Sequence, residues 1–255
     1  MTGILERTKV RAAFLALVVL LAGGLISDVR AQNDDKSKQE EVDAATKKLN
    51  AAYGFYREGQ HKFAIEELGE FLKTYPSHPE AVTAKYVMAI SQYRLTRHED
   101  TIATLTELLA NPKFKQRDEA LAIVGYCHLA MKQQEKALTA FEELLAKHPE
   151  SKLAESASLN KAQVLYMLDK KPEALVACKA FIAKYPQSAH RANGLYTLAL
   201  TQHSLAQYAD GEASLKDLLK DEKSPYALDA TMLLGQCQDA QGNPADAISR
   251  VTTLL

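Results

Sequence analysis

The sequence predicts an all-α protein, a right-handed α-solenoid of about six similar helix pairs over residues 45–255. Two observations predict this fold. A small residue within an apolar segment recurs every 36 or 37 residues, at Ala64, Thr101, Ala137, Ala174, Gly211 and Ala247. A second small residue precedes each of these by 12 positions, at Ala52, Ala89, Gly125, Ala162, Ala199 and Gly235. A fixed period of this length is typical of repeat architectures, in which each unit buries its apolar side against the next.

The first 31 residues are predicted to be a secretory signal peptide, outside the folded body. Three basic residues precede an apolar stretch from Ala12 to Ile26, and Val29-Arg30-Ala31 places small residues at positions −3 and −1 of a cleavage site. The apolar stretch has 15 residues, fewer than the roughly 20 that a membrane-spanning helix needs. An uncleaved membrane anchor is the alternative. Residues 32–44 are predicted to be a polar tether.

Each predicted pair crosses closely at its two small residues, and large apolar residues such as Phe71-Leu72 fill the wedge beyond the crossing. Turn residues such as Glu58-Gly59-Gln60 separate the two helices of a pair. The second helix ends at Tyr75-Pro76 and its equivalents, because proline lacks the next backbone donor. The repeats are predicted near residues 45–81, 82–117, 118–154, 155–191, 192–227 and 228–255.

This arrangement of small, large apolar and proline positions resembles the tetratricopeptide repeat family. The phrase FIAKYPQS, at Phe181–Ser188, is similar to the exported bacterial branch that includes the Tol-Pal coordinator and the outer-membrane assembly lipoproteins. Unlike those lipoproteins, the sequence has no cysteine near the predicted cleavage site. The resemblance implies a fold of paired helices that bind extended or helical peptides with the face formed by the first helices.

Composition argues against several other functions. The formal net charge is −1, so the sequence lacks the basic excess with which proteins neutralise nucleic-acid phosphates. The three cysteines, Cys127, Cys178 and Cys237, form no C-x-x-C pair and predict neither a zinc site nor a disulfide framework. No catalytic motif occurs. We therefore predict a protein that is not an enzyme, with no cofactor, no metal, no catalytic residue and no nucleic-acid partner.

Tyrosines mark one face of the predicted first helices. Spacings of three and four residues place them on the same side of a helix, where each supplies apolar area and a hydroxyl to a peptide. Two arginines stand beside this face and suit an acidic group. The candidate peptide-binding residues are Tyr53, Tyr56, Arg57, Tyr86, Tyr93, Arg94, Tyr126, Tyr166 and Tyr196. The alternative is that the rings seal neighbouring helices against each other and bind no peptide.

These features predict a protein-binding scaffold of the bacterial cell envelope, located in the periplasm or outside the cell. Its partner is a protein or peptide held in a tyrosine-lined concave groove, and after cleavage no stable membrane insertion is expected. The alternative is a structural subunit of an envelope assembly, outer-membrane or Tol-Pal-like, that uses its convex or end surface.

The last repeat predicts an open apolar end. Leu233, Leu234, Val251 and Leu254 are expected to be partly exposed there, because no polar capping helix follows them. The chain is expected either to be the front part of a longer repeat protein or to have this end covered by self-association or by a partner.

Overall fold

A computed structural model describes residues 42–221 and 223–243. Three predicted features lie outside the described residues: the signal peptide at 1–31, most of the tether, and the second helix of the sixth repeat with Val251 and Leu254. The described part of the chain is built from helices and turns and contains no strand. The chain divides into two compact units, Met1–Ser91 and Gln92–Leu255.

The first unit contains α1 (42–57), α2 (His61–Thr74) and most of α3 (Ala81–Arg94). The small residues Ala52 of α1 and Ala64 of α2 are fully buried, as the repeat pattern predicts. Leu68 and Phe71 of α2 form the core of this unit with Ala52. Close approach at the small residues lets the large side chains interlock, which is how two short helices bury a shared apolar stripe.

The second unit continues from the end of α3 with eight further helices that pair in the same way. Their bounds are α4 (His98–Leu109), α5 (Arg117–Ala130), α6 (Gln134–Lys147), α7 (Ala154–Met167), α8 (Lys171–Lys184), α9 (Arg191–Ser204), α10 (Tyr208–Leu218) and α11 (Ala227–Ala240). Odd-numbered helices are the first helices of the repeats and even-numbered helices the second. Consecutive helices pack on each other from α4 to α11. The predicted all-α solenoid of helix pairs is confirmed.

The turn that follows the first helix has the same geometry in all six repeats. One residue per turn has a positive φ, between 56° and 82°, and these residues are Gly59, Thr96, Lys132, Asp169, Ala206 and Gly242. The next residue's N–H closes the turn by donating to a carbonyl five residues earlier, as Gln133 does to His128 over 2.8 Å. This is the Schellman C-cap, which satisfies carbonyls at the end of the first helix.

Where two helices approach most closely, a glycine without a side chain leaves room for a large phenylalanine ring on the other helix. A Cβ on Gly125 of α5 would lie 2.6 Å from Phe141 Cε1 of α6. A Cβ on Gly194 of α9 would lie equally close to Phe181 Cε1 of α8. Both phenylalanines are fully buried, so their rings cannot move into solvent to make room.

Hydrogen bonds tie the turn that ends a repeat to the first helix of the same repeat. Ser151, in the turn after α6, donates to Asp118 Oδ2 of α5 over 2.6 Å, and Ser188 donates to Glu155 of α7 in the next repeat. Both pairs are 33 residues apart. In these two repeats the serine of the proline-containing turn therefore fastens that turn to the start of the repeat's own first helix.

The expectation that Leu233 and Leu234 are partly exposed is wrong. They are 6% and 0% exposed because they point into a core cluster with Leu195, Leu215 and Leu218 of α9 and α10. Helical spacing places these two leucines on the side of α11 that meets the preceding pair. Across residues 42–221 and 223–243, no helix is both long and apolar enough to cross a membrane.

Candidate functional site

The first helices of the second unit carry their tyrosines on a shared face. Tyr126 lies on α5, Tyr166 on α7 and Tyr196 on α9, and each side chain is half-buried. Met232 occupies on α11 the repeat position that Tyr196 has on α9, and it is 55% exposed. We call the surface that these four side chains mark the tyrosine face.

Amide side chains link neighbouring first helices across the tyrosine face. Asn160 Nδ2 of α7 donates to the Tyr126 hydroxyl of α5 over 3.3 Å. Gln163 Nε2 of α7 donates to Asn193 Oδ1 of α9 over 2.8 Å. These bonds fix the spacing of the helices and place amide groups beside the rings. Amides supply both donors and acceptors, the two groups that a peptide backbone requires.

Two of the rings pack against neighbouring aromatic side chains. The Tyr126 ring meets Phe141 of α6 edge-on, with ring centroids 5.5 Å apart. The Tyr196 ring stacks on Tyr226, which precedes α11, also at 5.5 Å. Such pairs contribute about 0.5–1.5 kcal/mol each beyond the area they bury. The rings therefore stabilise the contacts between helices, and their exposed parts remain available to a ligand.

Tyr166 is fixed at the end of α7 by the following turn. Lys171 Nζ lies 3.7 Å from the centroid of the Tyr166 ring and donates to the Tyr166 carbonyl over 3.0 Å. The Tyr166 hydroxyl lies 3.5 Å from Ser204 Oγ of α9. The next residue, Met167, is 61% exposed. It lies one turn beyond Gln163, so it extends the tyrosine face with a flexible apolar side chain.

Tyr93 and Arg94 end α3, on the side where the second unit begins. Burial raises the pKa of Tyr93, and the neighbouring Cys127 and Tyr126 of α5 raise it further. The Tyr93 ring lies 6.4 Å from His98 at the start of α4. Tyr93 thus belongs beside Tyr126, whereas Arg94 is exposed.

The remaining predicted site residues belong to the first unit. The Tyr53 hydroxyl is buried without a hydrogen-bond partner, and burial raises the pKa of Tyr53 to about 12. Arg57 is exposed and its Nε donates to the Tyr53 carbonyl over 3.2 Å. The Tyr56 ring lies 5.8 Å from His61, and Tyr86 is half-buried. The Tyr53 hydroxyl is therefore not presented to a ligand in this conformation.

Sequence reasoning missed five side chains of the tyrosine face: Asn160, Gln163, Asn193, Met167 and Met232. A signal for two of them is present in the repeat register, where Gln163 aligns with Tyr126 and Met232 with Tyr196. Asn160 and Asn193 stand at other positions and join the face only through contacts between helices, whereas Met167 is placed there by its position one turn beyond Gln163.

The three cysteines are all buried and free. Burial raises the pKa of Cys127 to about 11 and that of Cys178 to about 12, although hydrogen bonds with Thr101 and Thr201 oppose the shifts. Burial also raises the pKa of Cys237. A thiol with a raised pKa holds little of the reactive thiolate near neutral pH. Cys178 is fully buried and is one of the core residues of α8.

Metal-ligating side chains are not grouped together in the described part of the chain. Within residues 42–221 and 223–243, no three His, Cys, Asp or Glu side chains are grouped to hold a metal ion. His128, beside Cys127, is buried, and its Nδ1 pairs with Gln133 Oε1 over 2.8 Å. This contact orients the histidine within the turn that follows α5.

Sequence comparison matches residues 114–239 to the YfiO family, described as outer membrane lipoprotein. The matched segment contains α5 to α10 and nearly all of α11. The expected resemblance to the outer-membrane assembly lipoproteins is therefore confirmed over this segment. A search of curated proteins found no significant match.

Several solved structures share the fold. A tetratricopeptide repeat protein from Parabacteroides merdae is 16% identical with a TM-score of 0.64, over 82% of this chain and 78% of its own. MamA from Desulfovibrio magneticus is 20% identical with a TM-score of 0.59, over 68% of this chain and 92% of its own. The C-terminal part of a repeat protein from Cytophaga hutchinsonii is 13% identical with a TM-score of 0.61, over 76% and 71%. At these identities the likeness establishes the fold.

Proposed function

We propose that the chain, which shares the fold of tetratricopeptide-repeat proteins, is a non-enzymatic scaffold of the bacterial cell envelope that holds a peptide segment of another protein on its tyrosine face. The envelope location is supported by the likeness of residues 114–239 to an outer membrane lipoprotein family and by the secretory pattern of the first 31 residues. The scaffold role is supported by the repeat fold, whose stacked units create extended binding surfaces.

One observation carries the choice of the tyrosine face. Three large apolar side chains are more than half exposed along it: Met167, Leu228 and Met232, at 61%, 61% and 55%. Leu228 lies one turn before Met232 on α11, so the two share a side of that helix. Exposed methionines suit adaptable contacts with peptide side chains.

The chemistry of the face fits a peptide with apolar side chains. The half-buried rings supply rigid contact area, and the amides of Asn160, Gln163 and Asn193 supply donors and acceptors for the backbone. The rings also seal neighbouring helices against each other, as the alternative interpretation holds. A ring can pack between helices with its buried part and contact a peptide with its exposed part.

A photo-crosslinking experiment in living bacteria tests the proposal. A photoreactive amino acid replaces Met167 in the full chain, and the matched control carries it at Ala103, an exposed small residue of the second helix α4. We expect the Met167 position to give a defined crosslinked protein and the Ala103 position to give none. A crosslink at Ala103 together with none at Met167 would contradict the proposal.

A substitution then identifies the energetic contribution of the face. Met167→Glu adds a charge to an exposed position and leaves the core intact, so helicity measured by circular dichroism stays unchanged. We expect crosslinking from a probe at Met232 to fall at least about tenfold, because an apolar contact is replaced by a carboxylate that must be desolvated. Unchanged crosslinking from Met232 would count against peptide capture on this face.

The second candidate function is a structural subunit of an envelope assembly that binds through its second helices. Val176 of α8 favours this candidate, because its side chain is 69% exposed on the side of the repeat opposite the tyrosine face. Crosslinking from Val176 but not from Met167 to another envelope protein is the result that this candidate predicts.

A further inference from the structure

The second helix α8 departs from the other second helices at its outward positions. Four residues of each second helix stand at the same outward places in the repeat register. In α2, α4, α6 and α10 these positions always include charged residues, as Lys62, Glu66, Glu70 and Lys73 in α2 show. In α8 they are Pro172, Val176, Ala180 and Ala183. We call these four residues the outer stripe of α8.

The outer stripe of α8 is exposed along its whole length. At about 100° per residue, its four members fall within roughly 80° of arc on the helix. The other side of α8 already packs in the core through Ala174, Cys178 and Phe181. A helix that is apolar on both sides is normally covered on both sides, so the stripe has the composition of a contact surface.

An open groove runs beside the stripe, between α6 and α8. Its volume is about 560 Å³, and Leu145, Leu165 and Val176 contribute to its apolar lining. The ion pair between Lys161 Nζ of α7 and Glu142 Oε1 of α6, at 2.9 Å, lies at its edge. Side chains that cover the outer stripe of α8 can enter this groove, so the apolar contact surface is wider than one helix.

Two opposite charges flank the stripe on one side. Glu173 stands in the first turn of α8 and Lys184 in the last. Eleven residues separate them, which is close to three helical turns and places them on the same flank. Both side chains are exposed, and neither has an ion-pair partner within the described part of the chain. Lys184 Nζ lies 5.3 Å from the Tyr185 ring.

We propose that the outer stripe of α8 binds the same stripe of a second copy of this chain, with the two helices antiparallel about a two-fold axis at the level of Cys178. An isologous contact requires a self-complementary surface. With the axis at this level, Val176 of each copy faces the small Ala180 of the other. On the flank, Glu173 of each copy faces Lys184 of the other, because antiparallel helices bring equal flanks together.

Charge complementarity favours the second copy as the occupant, because two Glu173–Lys184 pairs on one flank outnumber the single approach of Lys179 to its own copy, beside the axis, on the other flank. The stripe has a negative group at one end and a positive group at the other. When a second copy lies antiparallel to the first, each negative group therefore faces a positive group. The contact surface lies on the second helices, so a dimer leaves the tyrosine face open to a peptide. The proposal therefore stands independently of the proposed peptide binding.

Sedimentation equilibrium of the exported protein, purified from bacteria that express the full chain, tests the proposal. One helix face is a small interface, of the class below about 1,200 Å² that associates weakly, so the measurement covers micromolar to millimolar concentrations. We expect a monomer–dimer equilibrium in the unmodified protein. Val176→Glu should raise its dissociation constant at least about tenfold, since an unpaired carboxylate would be placed in the contact. Ala103→Glu, at the equivalent outward position of α4, should leave it unchanged.

A charge exchange distinguishes this geometry from other ways of associating. Glu173→Lys alone and Lys184→Glu alone each place like charges opposite each other and should weaken the dimer. The double variant restores opposite charges and should restore the dissociation constant of the unmodified protein. Three results would overturn the proposal: a monomer at all concentrations, equal effects of Val176→Glu and Ala103→Glu, or a double variant that associates no better than the single ones. A monomer at all concentrations would indicate that the outer stripe of α8 binds a different protein.

Discussion

At the scale of single residues, close packing between the two helices of a pair depends on matched sizes. Gly125 is paired with the large Phe141, whereas the corresponding positions of other repeats combine Ala52 with Leu68 and Ala199 with Leu215. The Cβ distance of 2.6 Å between Gly125 and the Phe141 ring leaves no space for a methyl group. Protein interiors respond to such changes because they are packed as densely as organic crystals.

We predict that Gly125→Ala destabilises the protein by about 1–2 kcal/mol, because overpacking of a buried site costs more than the gain in helix propensity returns. Urea unfolding followed by circular dichroism measures the change. The control is Gly69→Ala in α2, where a Cβ meets nothing within 4 Å, so the same substitution should stabilise by about 0.5–1 kcal/mol. Adding Phe141→Leu to Gly125→Ala should recover part of the loss, and a purely additive double variant would refute the size-matching argument.

At the scale of the elements, the repeated turn stores backbone strain in four of its six copies. Thr96, Lys132, Asp169 and Ala206 have positive φ angles, and only Gly59 and Gly242 adopt this conformation without a side-chain penalty. A non-glycine residue in the left-handed region costs roughly 1–2 kcal/mol. The Schellman hydrogen bonds of the turn hold it there.

Lys132→Gly is expected to stabilise the protein by about 0.5–1 kcal/mol, because relief of the strained φ exceeds the extra entropy that glycine gives the unfolded chain. The midpoint of urea unfolding reports the effect. Lys136→Gly, four residues later in α6, is the matched control and should destabilise by about 1 kcal/mol. If both substitutions destabilise equally, the turn is not strained at Lys132.

At the scale of the whole molecule, carboxylates help to join successive helices. The hydrogen bond from Ser151 lowers the pKa of Asp118. The hydrogen bond from Arg191 lowers the pKa of Asp217, and the distance from Arg191 Nη2 to Asp217 Oδ2 is 2.5 Å. A carboxyl group with a lowered native pKa stabilises the folded state fully above its ordinary pKa of about 4. This stabilisation is lost as the pH falls through the lowered native pKa.

The unfolding free energy is therefore expected to decrease below about pH 4 as these carboxylates take up protons. Urea midpoints measured across a pH series give the dependence. Asp217→Asn should lower stability at neutral pH and weaken the acid dependence, because the variant has no carboxylate to protonate. Asp239→Asn is the control, since Asp239 is exposed and has no ion pair within the described part of the chain. A dependence that Asp217→Asn leaves unchanged would assign the acid effect to other groups.

The sequence by itself determined the repeat register, and with it the helix pairs, the turns, the buried small residues and the positions of the tyrosines. The sequence was sufficient because each repeat makes most of its contacts within itself and with its neighbours. The pattern of small and large residues in one 36- or 37-residue period therefore predicts how the helices pack. Tertiary structure decided what depends on the side chains of adjacent repeats. It buried the Tyr53 hydroxyl, joined Asn160 to Tyr126, and turned Leu233 and Leu234 inward. The exposed fraction of a side chain depends on which groups lie opposite it in space. The position of the residue within the repeat period does not specify those groups.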